Sequence, residues 1–193
     1  MSAEPIILAS ASPRRRELIA SLGVPFEVVT VNVTELDGQT APQMAPTAVA
    51  GENAGRKVEA VSPWYPERWI LGADTVVFLE EKLMGKPASL DEARIFLRAL
   101  SGKTHEVATA CALLSPDGGW EICVDKSRVT FHALTEETIE RYLAEVNVLD
   151  KAGGYALQEH GEWIIESVEG SRHNVIGLPT ELLEKVFKRR GLL

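Results

Sequence analysis

The sequence predicts an α/β protein with a mixed parallel and antiparallel sheet flanked by helices. Strand-like and helix-like segments are mixed along the 193-residue chain, which places it in the α/β or α+β class. Two long strand-like segments, His105–Leu114 and Trp120–Leu134, are separated only by the turn residues Ser115–Gly119, so we expect an antiparallel hairpin. No linker or low-complexity segment divides the chain, and we therefore expect a single domain over residues 1–193.

The N-terminal part of the chain is predicted to form three strands and two helices. Trp69–Leu79 is almost continuously apolar, as in a strand that is buried on both faces. Pro13 and Gly23 are placed to begin and end the first helix, because proline suits the first helical position and glycine the position after the last. Polar residues and prolines predict a loop at Thr34–Pro46. The expected strands are Ile6–Leu8, Phe26–Val33 and Trp69–Leu79, and the expected helices are Pro13–Leu22 and Thr47–Val61.

The rest of the chain is predicted to add three helices and four strands. Ser89 and Glu92 form a capping box, and the residues behind it place apolar side chains on one helical face. Thr135 and Thr180 are expected to cap the two later helices, and the second of these ends in basic residues that suit a helix C-terminus. The four expected strands are His105–Leu114, Trp120–Leu134, Tyr155–Gln158 and Trp163–Val168.

Composition argues against several classes of protein. The net charge of −8 disfavours general nucleic-acid binding, which requires a basic surface. No apolar run approaches the roughly 18 residues of a membrane span, and the N-terminus lacks the pattern of a signal peptide. Cys111 and Cys123 lie in apolar segments without metal-ligand spacing, so we expect buried free thiols and a cytoplasmic protein.

The segment Leu8–Arg16 has the chemistry of an anion site. Ser12 is a good helix N-cap, and the three arginines that follow Pro13 lie in the first helical turn, where the helix dipole disfavours cations. A bound anion would explain this arrangement, because free N–H groups, the dipole and the guanidinium groups would all face it. We therefore expect a phosphate site here; the alternative is a solvated basic turn without a ligand.

Asp74 interrupts the apolar strand Trp69–Leu79 and is the second chemical signal. An unpaired carboxylate is costly in a buried strand, so this one must be paired, bound to a metal or placed at an open edge of the sheet. Gly72, two residues earlier on the same face, is expected to leave room for a ligand. The alternative is a structural carboxylate that caps a helix or pairs with a buried arginine.

Lys86, Glu35 and Gln158 carry weaker signals. Lys86 lies between Gly85 and Pro87, Glu35 lies at a strand-to-loop junction, and Gln158 ends an expected strand. Taken alone, each matches an ordinary exposed polar residue. A buried glutamine amide, however, presents both a donor and an acceptor, which is what the O4 and N3–H edge of uracil or thymine requires.

Six segments of the chain resemble, in order and spacing, the Maf family of nucleoside triphosphate pyrophosphatases. They lie between Leu8 and Pro179 and so cover nearly the whole chain. The resemblance implies cleavage of the α–β phosphoanhydride to a nucleoside monophosphate and pyrophosphate. It also implies two lobes with a central cleft, and it suggests a homodimer. The segments are LASASPRRREL, GADTVV, GKP, SGKTHEVATA, DKAGGYALQ and ESVEGSRHNVIGLP.

The resemblance also assigns roles to the candidate residues. Asp74 matches the family's proposed catalytic base, and Lys86 matches its phosphate-binding lysine. Arg15 and the loop Ser10–Ser12 would neutralise and orient the triphosphate. Glu35 matches a glutamate that, together with Asp74, would hold a divalent cation such as Mg²⁺ or Mn²⁺.

Three positions indicate the substrate. Arg14, Thr75 and Gln158 match the branch of the family that acts on dTTP and UTP, whereas a branch that prefers 7-methylguanosine triphosphate has an acid in place of Gln158. Another position departs from the family, since Asn53 stands where a lysine is usual. Either Lys57, one turn later on the same helical face, reaches the same phosphate, or one phosphate contact is missing.

Two other functions stay open at the level of sequence. One is a pyrophosphatase that prefers a purine or modified nucleotide such as 7-methyl-GTP, or has a broader specificity. The other is a nucleotide-binding regulator of cell division with little turnover, which the change at Asn53 would suit. In each case the expected partner is a nucleoside triphosphate, with no nucleic acid and no membrane.

Overall fold

A computed structural model describes residues 4–80 and 82–193, which form a seven-stranded mixed sheet with helices on both faces. The predicted fold class is confirmed. The strands are β1 (Ile6–Ala9), β2 (Phe26–Val29), β3 (Ile70–Leu79), β4 (Lys82–Met84), β5 (Thr104–Leu114), β6 (Trp120–Phe131) and β7 (Ile165–Glu169). The helices are α1 (Pro13–Ser21), α2 (Pro46–Val61), α3 (Leu90–Leu100), α4 (Glu136–Glu145), α5 (Arg172–Ile176) and α6 (Thr180–Arg190).

The sheet combines a parallel part and an antiparallel part. Strand β1 lies between β2 and β3 and pairs parallel with both, whereas β5 pairs antiparallel with β3 and with β6. Strand β7 extends the antiparallel part beyond β6, and β4 pairs with β3. The predicted hairpin of β5 and β6 is confirmed.

The helices cover the two faces of the sheet. Helix α2 packs against β3 and β5 through Ala50, Ala54 and Val58. On the opposite face, α1 and α6 contribute Ile19 and Phe187 to one apolar cluster, and α3 and α4 contribute to another. Because side chains alternate along a strand, β3 is buried on both faces between these layers, as predicted.

Gly72 has a different role from the one expected. A Cβ atom at this position would lie 2.5 Å from the carbonyl oxygen of Ala54 and 2.8 Å from Cγ2 of Val58. The glycine therefore allows α2 to approach β3 closely, and the expectation that it leaves room for a ligand is wrong.

The predicted strand Tyr155–Gln158 is wrong, because a buried side chain satisfies its backbone. The hydroxyl of Tyr142 donates to the carbonyl oxygen of Ala156 at 3.2 Å and accepts from the N–H of Ala156 at 2.9 Å. These are the backbone groups that a neighbouring strand would otherwise bind. The segment is irregular and lies between two short 3-10 helices, Ala152–Gly154 and Gly161–Trp163.

Several element ends also differ from prediction. Strands β2 and β6 end at Val29 and Phe131, earlier than expected, and Trp163 belongs to a 3-10 helix instead of β7. Thr180 is the first residue of α6 and not its cap, and its hydroxyl contacts the ring of His173. Strand β4 and helix α5 are unpredicted, because three and five residues are too few to show a hydrophobic period.

Within the two described ranges, no helix is both long and apolar enough to cross a membrane. Cys111 and Cys123 are free and lie opposite each other on β5 and β6. Cys111 is buried as expected, whereas Cys123 is half-buried. The single domain and the two lobes stay predictions.

Candidate active site

A cavity of about 460 Å³ collects the residues that the sequence assigns to a functional site. Its lining comes from the loops after β1, β2 and β4, from the first turn of α1, from α2, from the middle of β3, from the segment after α4 and from α5. The predicted residues in this lining are Ser10, Ser12, Arg14, Arg15, Glu35, Lys57, Asp74, Thr75, Lys86 and Gln158.

Two walls of this cavity differ in their chemistry. The first, the ionic wall, is defined by Arg15, Glu35, Lys57, Asp74 and Lys86. The second, the loop wall, is the segment Asp150–Gln158, of which all residues except Gly153 and Gly154 line the cavity. The ionic wall carries most of the charge.

Ser10 and Ser12 shape the loop that leads into α1. The N–H of Ser12 donates to Oγ of Ser10 at 3.2 Å, and Oγ of Ser12 accepts from the N–H of Arg15 at 3.4 Å. Ser12 is thus the N-cap that the sequence predicts, and the first turn of α1 contains no acidic residue. The positive end of the helix dipole therefore lies beside the cavity without an acid to offset it, which suits an anion.

Arg15 is held by neutral groups. Its Nε donates to the carbonyl oxygen of Gly177 at 2.8 Å, and its Nη2 donates to Oγ1 of Thr75 at 3.0 Å. Burial lowers the pKa of Arg15 from its ordinary range, and the negative charge of Asp74 opposes this effect. A desolvated guanidinium without a bonded carboxylate, within the part of the chain that the structure describes, is suited to binding an anion.

The other two arginines of the first turn are attached more loosely. Nη1 of Arg14 lies 3.4 Å from Oδ2 of Asp150, so this ion pair connects α1 to the loop wall. Arg16 is exposed and does not contribute to the cavity lining. Of the two sequence interpretations, the solvated turn fits Arg16 and the anion site fits Arg15.

Asp74 is only 6% exposed, and both of its oxygens accept hydrogen bonds. Its Oδ1 accepts from Nζ of Lys57 at 2.7 Å, and its Oδ2 accepts from Nδ2 of Asn53 at 3.1 Å. Nζ of Lys57 also lies 2.8 Å from Oε1 of Glu35, whose Oε2 lies 2.9 Å from Nζ of Lys86. Two carboxylates and two ammonium groups therefore alternate, and their charges cancel.

Asn53 connects Asp74 to the loop that carries Glu35. Its Oδ1 accepts from the N–H of Leu36 at 2.7 Å, and its Nδ2 donates to the carbonyl oxygen of Leu36 at 3.0 Å as well as to Asp74. It thereby fixes the loop that carries Glu35 next to β3. Lys57 reaches the cavity from the same helix, as the first of the two sequence alternatives requires, and its contact with a phosphate stays a prediction.

Glu35 is strongly biased toward its ionised form. Partial burial raises the pKa of this carboxyl, but the charges and hydrogen bonds of Lys57 and Lys86 outweigh burial and lower the pKa to about 2. Glu35 is therefore a carboxylate throughout the neutral pH range.

The two carboxylates fit a divalent cation only together with further oxygen ligands. Oδ1 of Asp74 and Oε1 of Glu35 converge on the ammonium of Lys57 at 2.7 and 2.8 Å, so they already share one cation. Among residues 4–80 and 82–193, no group of three or more His, Cys, Asp or Glu side chains is arranged to hold a metal ion. Mg²⁺ is commonly bound by one or two carboxylates with phosphate oxygens and waters, so this pair would need such oxygens to complete a cation site.

The loop wall contains a buried lysine that the sequence analysis does not single out. Lys151 is 6% exposed, and its Nζ lies 2.9 Å from Oδ1 of Asp150 and 3.4 Å from Oε1 of Glu159. The same nitrogen donates to the carbonyl oxygen of Asn147. Its one signal in the sequence is its place beside Asp150 in the segment DKAGGYALQ.

Tyr155 and Gln158 lie at different depths in the loop wall. The hydroxyl of Tyr155 lies 2.7 Å from Nε2 of His105, and burial lowers the pKa of His105 to about 4, so this ring is neutral at pH 7. Gln158 is exposed where it lines the cavity, as in the ordinary exposed residue that the sequence also allows, and it does not end a strand.

The comparison with known families covers almost the whole chain, because the family described as Maf-like protein matches residues 5–190. The chain belongs to the Maf-like protein family. This Maf-like chain is 48% identical to a protein of Akkermansia muciniphila over 97% of both chains. It is 42% identical to a protein of Deinococcus radiodurans, over 97% of this chain and 93% of that one. Over its full length and 90% of the relative, it is 40% identical to a protein of Nitratidesulfovibrio vulgaris. Each of the three relatives is named dTTP/UTP pyrophosphatase.

Solved structures with the same fold are distant in sequence from the Maf-like chain. The Ham1 protein of Staphylococcus aureus aligns with a TM-score of 0.55 and 13% identity, over 97% of this chain and 100% of that one. A HAM1 protein from Coxiella burnetii aligns with a TM-score of 0.57 and 15% identity, over 96% of this chain and 98% of that one. At such low identity these structures support the fold alone.

Proposed function

We propose that this Maf-like chain is a nucleoside triphosphate pyrophosphatase that hydrolyses dTTP and UTP to the monophosphate and pyrophosphate. The observation that carries the proposal is the ionic wall, in which a buried carboxylate, Asp74, lies among cations beside a helix N-terminus. The names of the relatives that match nearly the full chain support the choice of dTTP and UTP.

The ionic wall is complementary to a triphosphate. Lys57 and Lys86 are neutralised by Asp74 and Glu35 before substrate binds, whereas Arg15 has only neutral partners among the described residues. Arg15 would therefore be the first cation to bind the phosphates, followed by the N–H groups at the start of α1. Lys57 and Lys86 would bind phosphate oxygens as the substrate draws them away from the carboxylates.

Asp74 would activate the attacking water. Lys57 and Asn53 hold its two oxygens in fixed directions, and each oxygen has a second lone pair with which to accept a proton. Movement of Lys57 toward the phosphates would free a lone pair of Oδ1 for the attacking water at the moment the substrate is in place. Position and electrostatics would supply most of the rate enhancement.

Asp74 and Glu35 would hold the divalent cation, Mg²⁺ or Mn²⁺, in company with phosphate oxygens. When bound, the cation would neutralise charge on the phosphate oxygens. Glu35 is suited to this role because its low pKa keeps it ionised.

Base selection would fall to the loop wall, with Gln158 facing the base and Arg14 near the base or a phosphate. A second candidate, a pyrophosphatase of broader specificity, is favoured by one observation: Gln158 is exposed and its amide is not fixed by a partner within the described residues. The homodimer and the cytoplasmic location implied earlier stay predictions.

Pyrophosphate release from a panel of dTTP, UTP, GTP and 7-methyl-GTP, each with Mg²⁺, tests the proposal. We expect dTTP and UTP to have the highest kcat/KM. Equal use of all four would favour the broader enzyme, and a preference for 7-methyl-GTP would contradict the pyrimidine assignment. Binding of nucleotides without release of pyrophosphate would contradict the enzyme and favour the regulator.

A further inference from the structure

Behind Arg15 lies a chain of buried polar groups to which the proposed reaction assigns no role. Nη2 of Arg15 donates to Oγ1 of Thr75 at 3.0 Å, and this oxygen lies 2.9 Å from Oγ1 of Thr109. Oγ1 of Thr109 in turn donates to the carbonyl oxygen of Asn174 at 2.8 Å. Thr109 and Asn174 are 0% exposed, so water does not compete for the bond between them.

The bonds of this chain have only one consistent direction. A carbonyl oxygen only accepts, so the single hydroxyl proton of Thr109 is used on Asn174. Thr75 must then donate its own proton to Thr109, and its oxygen is left to accept from Arg15, which only donates. The hydroxyl proton of Thr75 is therefore used in the hydrogen bond to Thr109 and is not available to a ligand.

The side-chain amide of Asn174 is held by hydrogen bonds at both its oxygen and its nitrogen. Its Oδ1 accepts from the N–H of Thr109 at 2.9 Å. Its Nδ2 donates to the carbonyl oxygen of Val107 at 3.0 Å and to Oγ of Ser127 at 2.9 Å. The acceptor at the end of the chain is thus anchored to β5 and β6, because a fully bonded buried amide has no alternative orientation of similar free energy.

The same short helix, α5, supplies the second acceptor for Arg15. Gly177 directly follows α5, and its carbonyl oxygen accepts from Nε of Arg15 at 2.8 Å. A Cβ atom on Gly177 would lie 3.4 Å from Oγ1 of Thr75 and 3.7 Å from Nε of Arg15, so this glycine is in close contact with both groups. Helix α5 therefore holds Arg15 directly through Gly177 and indirectly through Asn174.

We infer that Thr109 and Asn174 are positioning residues for the triphosphate, and that they act through Thr75 and Arg15. They keep Oγ1 of Thr75 as an acceptor, which fixes the plane of the guanidinium. Two of its five N–H groups are then used, and within residues 4–80 and 82–193 three are left for phosphate oxygens. The inference rests on the proposed function and deepens it, since it makes Thr75 act on the substrate through Arg15.

A double-mutant cycle between Thr109 and Arg15 tests the inference. The probe is a dTTP analogue with a methylene group between the α and β phosphorus atoms, titrated calorimetrically at low ionic strength, where the remaining cations keep weak binding measurable. Thr109→Val keeps the side-chain shape but removes the hydroxyl, and we expect about tenfold weaker binding. In the Arg15→Ala background the same change should have no further effect, because the group that it positions is absent.

Two variants separate positioning from a general loss of structure. Thr109→Ser restores a hydroxyl at the same place and should restore binding. Thr130→Val removes one of two hydrogen-bonded hydroxyls, on Thr104 and Thr130, which lie 2.9 Å apart on the same hairpin outside this cavity lining. Its binding should equal that of the wild type. Should Thr109→Val fail to fold, Thr109→Ala carries the same test, since β5 already places alanines at positions 108, 110 and 112.

The inference is overturned if Thr109→Val binds the analogue like the wild type, or if it loses the same factor with and without the Arg15 side chain. Its failure differs from that of the proposed function. An active wild type without coupling in the cycle refutes the positioning role alone. A wild type that binds the analogue but releases no pyrophosphate from dTTP refutes the enzyme and leaves the cycle to decide the positioning role. Absence of binding by the wild type contradicts both.

Discussion

The ionic wall and the loop wall of the cavity are held in place by different means. The ionic wall takes its residues from the start of α1, from α2 and β3 and from short loops beside them, and ion pairs of 2.7 to 2.9 Å connect its carboxylates to its lysines. Apart from the short 3-10 helix Ala152–Gly154, the loop wall is irregular backbone, anchored by the hydroxyl of Tyr142 and by the contact of Tyr155 with His105. Only the first wall has a geometry set by regular secondary structure.

In the proposed function, the ionic wall carries out the hydrolysis and the loop wall selects the base. Phosphate chemistry requires fixed charges, and ion pairs, of which Lys57–Asp74 is buried between α2 and β3, provide them. Selection of a base requires only a surface that can be altered, and irregular segments are altered with less effect on the fold. Substitutions in one wall at a time test this division.

Asp74→Asn should lower kcat for dTTP by about 10²–10⁴-fold, because it removes the proton acceptor and one charge of the cation site. Whichever way the new amide points, its NH₂ faces a donor, Lys57 or Asn53, so some stability is lost, but Lys57 keeps Glu35 as a partner. Thermal unfolding checks the fold. The matched control is Asp150→Asn in the loop wall, which should retain most of the activity. Near-native turnover by Asp74→Asn with Mg²⁺ would make Asp74 structural.

Arg15→Ala and Arg14→Ala compare a fixed arginine with a loosely attached one. Loss of the charge-assisted phosphate contacts of Arg15 should raise KM for dTTP by about 10- to 100-fold and reduce the dependence of KM on ionic strength. Among the residues that the structure describes, Arg14 is paired only with exposed Asp150, so its removal should have a clearly smaller effect on KM. An unchanged KM in Arg15→Ala would instead indicate that the three arginines form a solvated basic turn without a bound anion.

Gln158→Glu changes only the loop wall. The carboxylate keeps acceptors but loses the donor, so O4 of a pyrimidine would face an acceptor, and kcat/KM for dTTP and UTP should fall by about tenfold. GTP and 7-methyl-GTP, which offer N–H donors, should lose less or gain. Steady-state kinetics with the four substrates decides the matter, and equal proportional losses would show that Gln158 does not contact the base.

The smallest expected effect is that of Glu35→Gln on stability, and it should appear as a dependence of stability on pH. The pKa of Glu35 falls from an ordinary 4.5 to about 2 in the folded protein, so its ionised form stabilises the fold above pH 4.5, and this stabilisation is lost as pH falls through about 2. Because the side chain is partly exposed, we expect a difference of about 1 kcal/mol or less at neutral pH. Urea unfolding of both proteins across this range measures it; a difference that persists at the acid end would assign the effect to packing.

Two residues of the ionic wall, Arg15 and Asp74, could be predicted from local signals, whereas Glu35 and Lys86 receive roles only from the family resemblance. Ser12 and Pro13 mark a helix start, and Asp74 is conspicuous within an apolar strand, so both are recognisable without knowledge of the fold. The function of Gly72 could not be predicted, since it depends on the approach of α2 from a distant part of the chain. From the sequence, Lys57 is one of two alternatives: it replaces the usual lysine, or one phosphate contact is missing. The sequence does not decide between them, because the hydrogen bond of Lys57 to Asp74 is a tertiary contact.

The loop wall could not be predicted for a physical reason. Tyr155–Gln158 has the composition of a strand, but the hydroxyl of Tyr142 binds the backbone groups of Ala156 that a strand would pair. Lys151 is buried by partners that only the fold brings near, and α5 is too short to show a period. Local sequence pattern thus identifies segments whose backbone hydrogen bonds are made in regular helices and strands. It misses segments whose backbone is bound by a distant side chain.

The most direct test of the division between the two walls is the identity of the products. The wild-type protein is incubated with dTTP and Mg²⁺, and the phosphorus NMR spectrum is followed with time. We expect the resonances of dTMP and pyrophosphate to grow in equal amounts, and Asp74→Asn to stop both while Gln158→Glu slows them without changing the products. Formation of dTDP and inorganic phosphate, or unchanged product formation by Asp74→Asn, would contradict the assignment of the chemistry to the ionic wall.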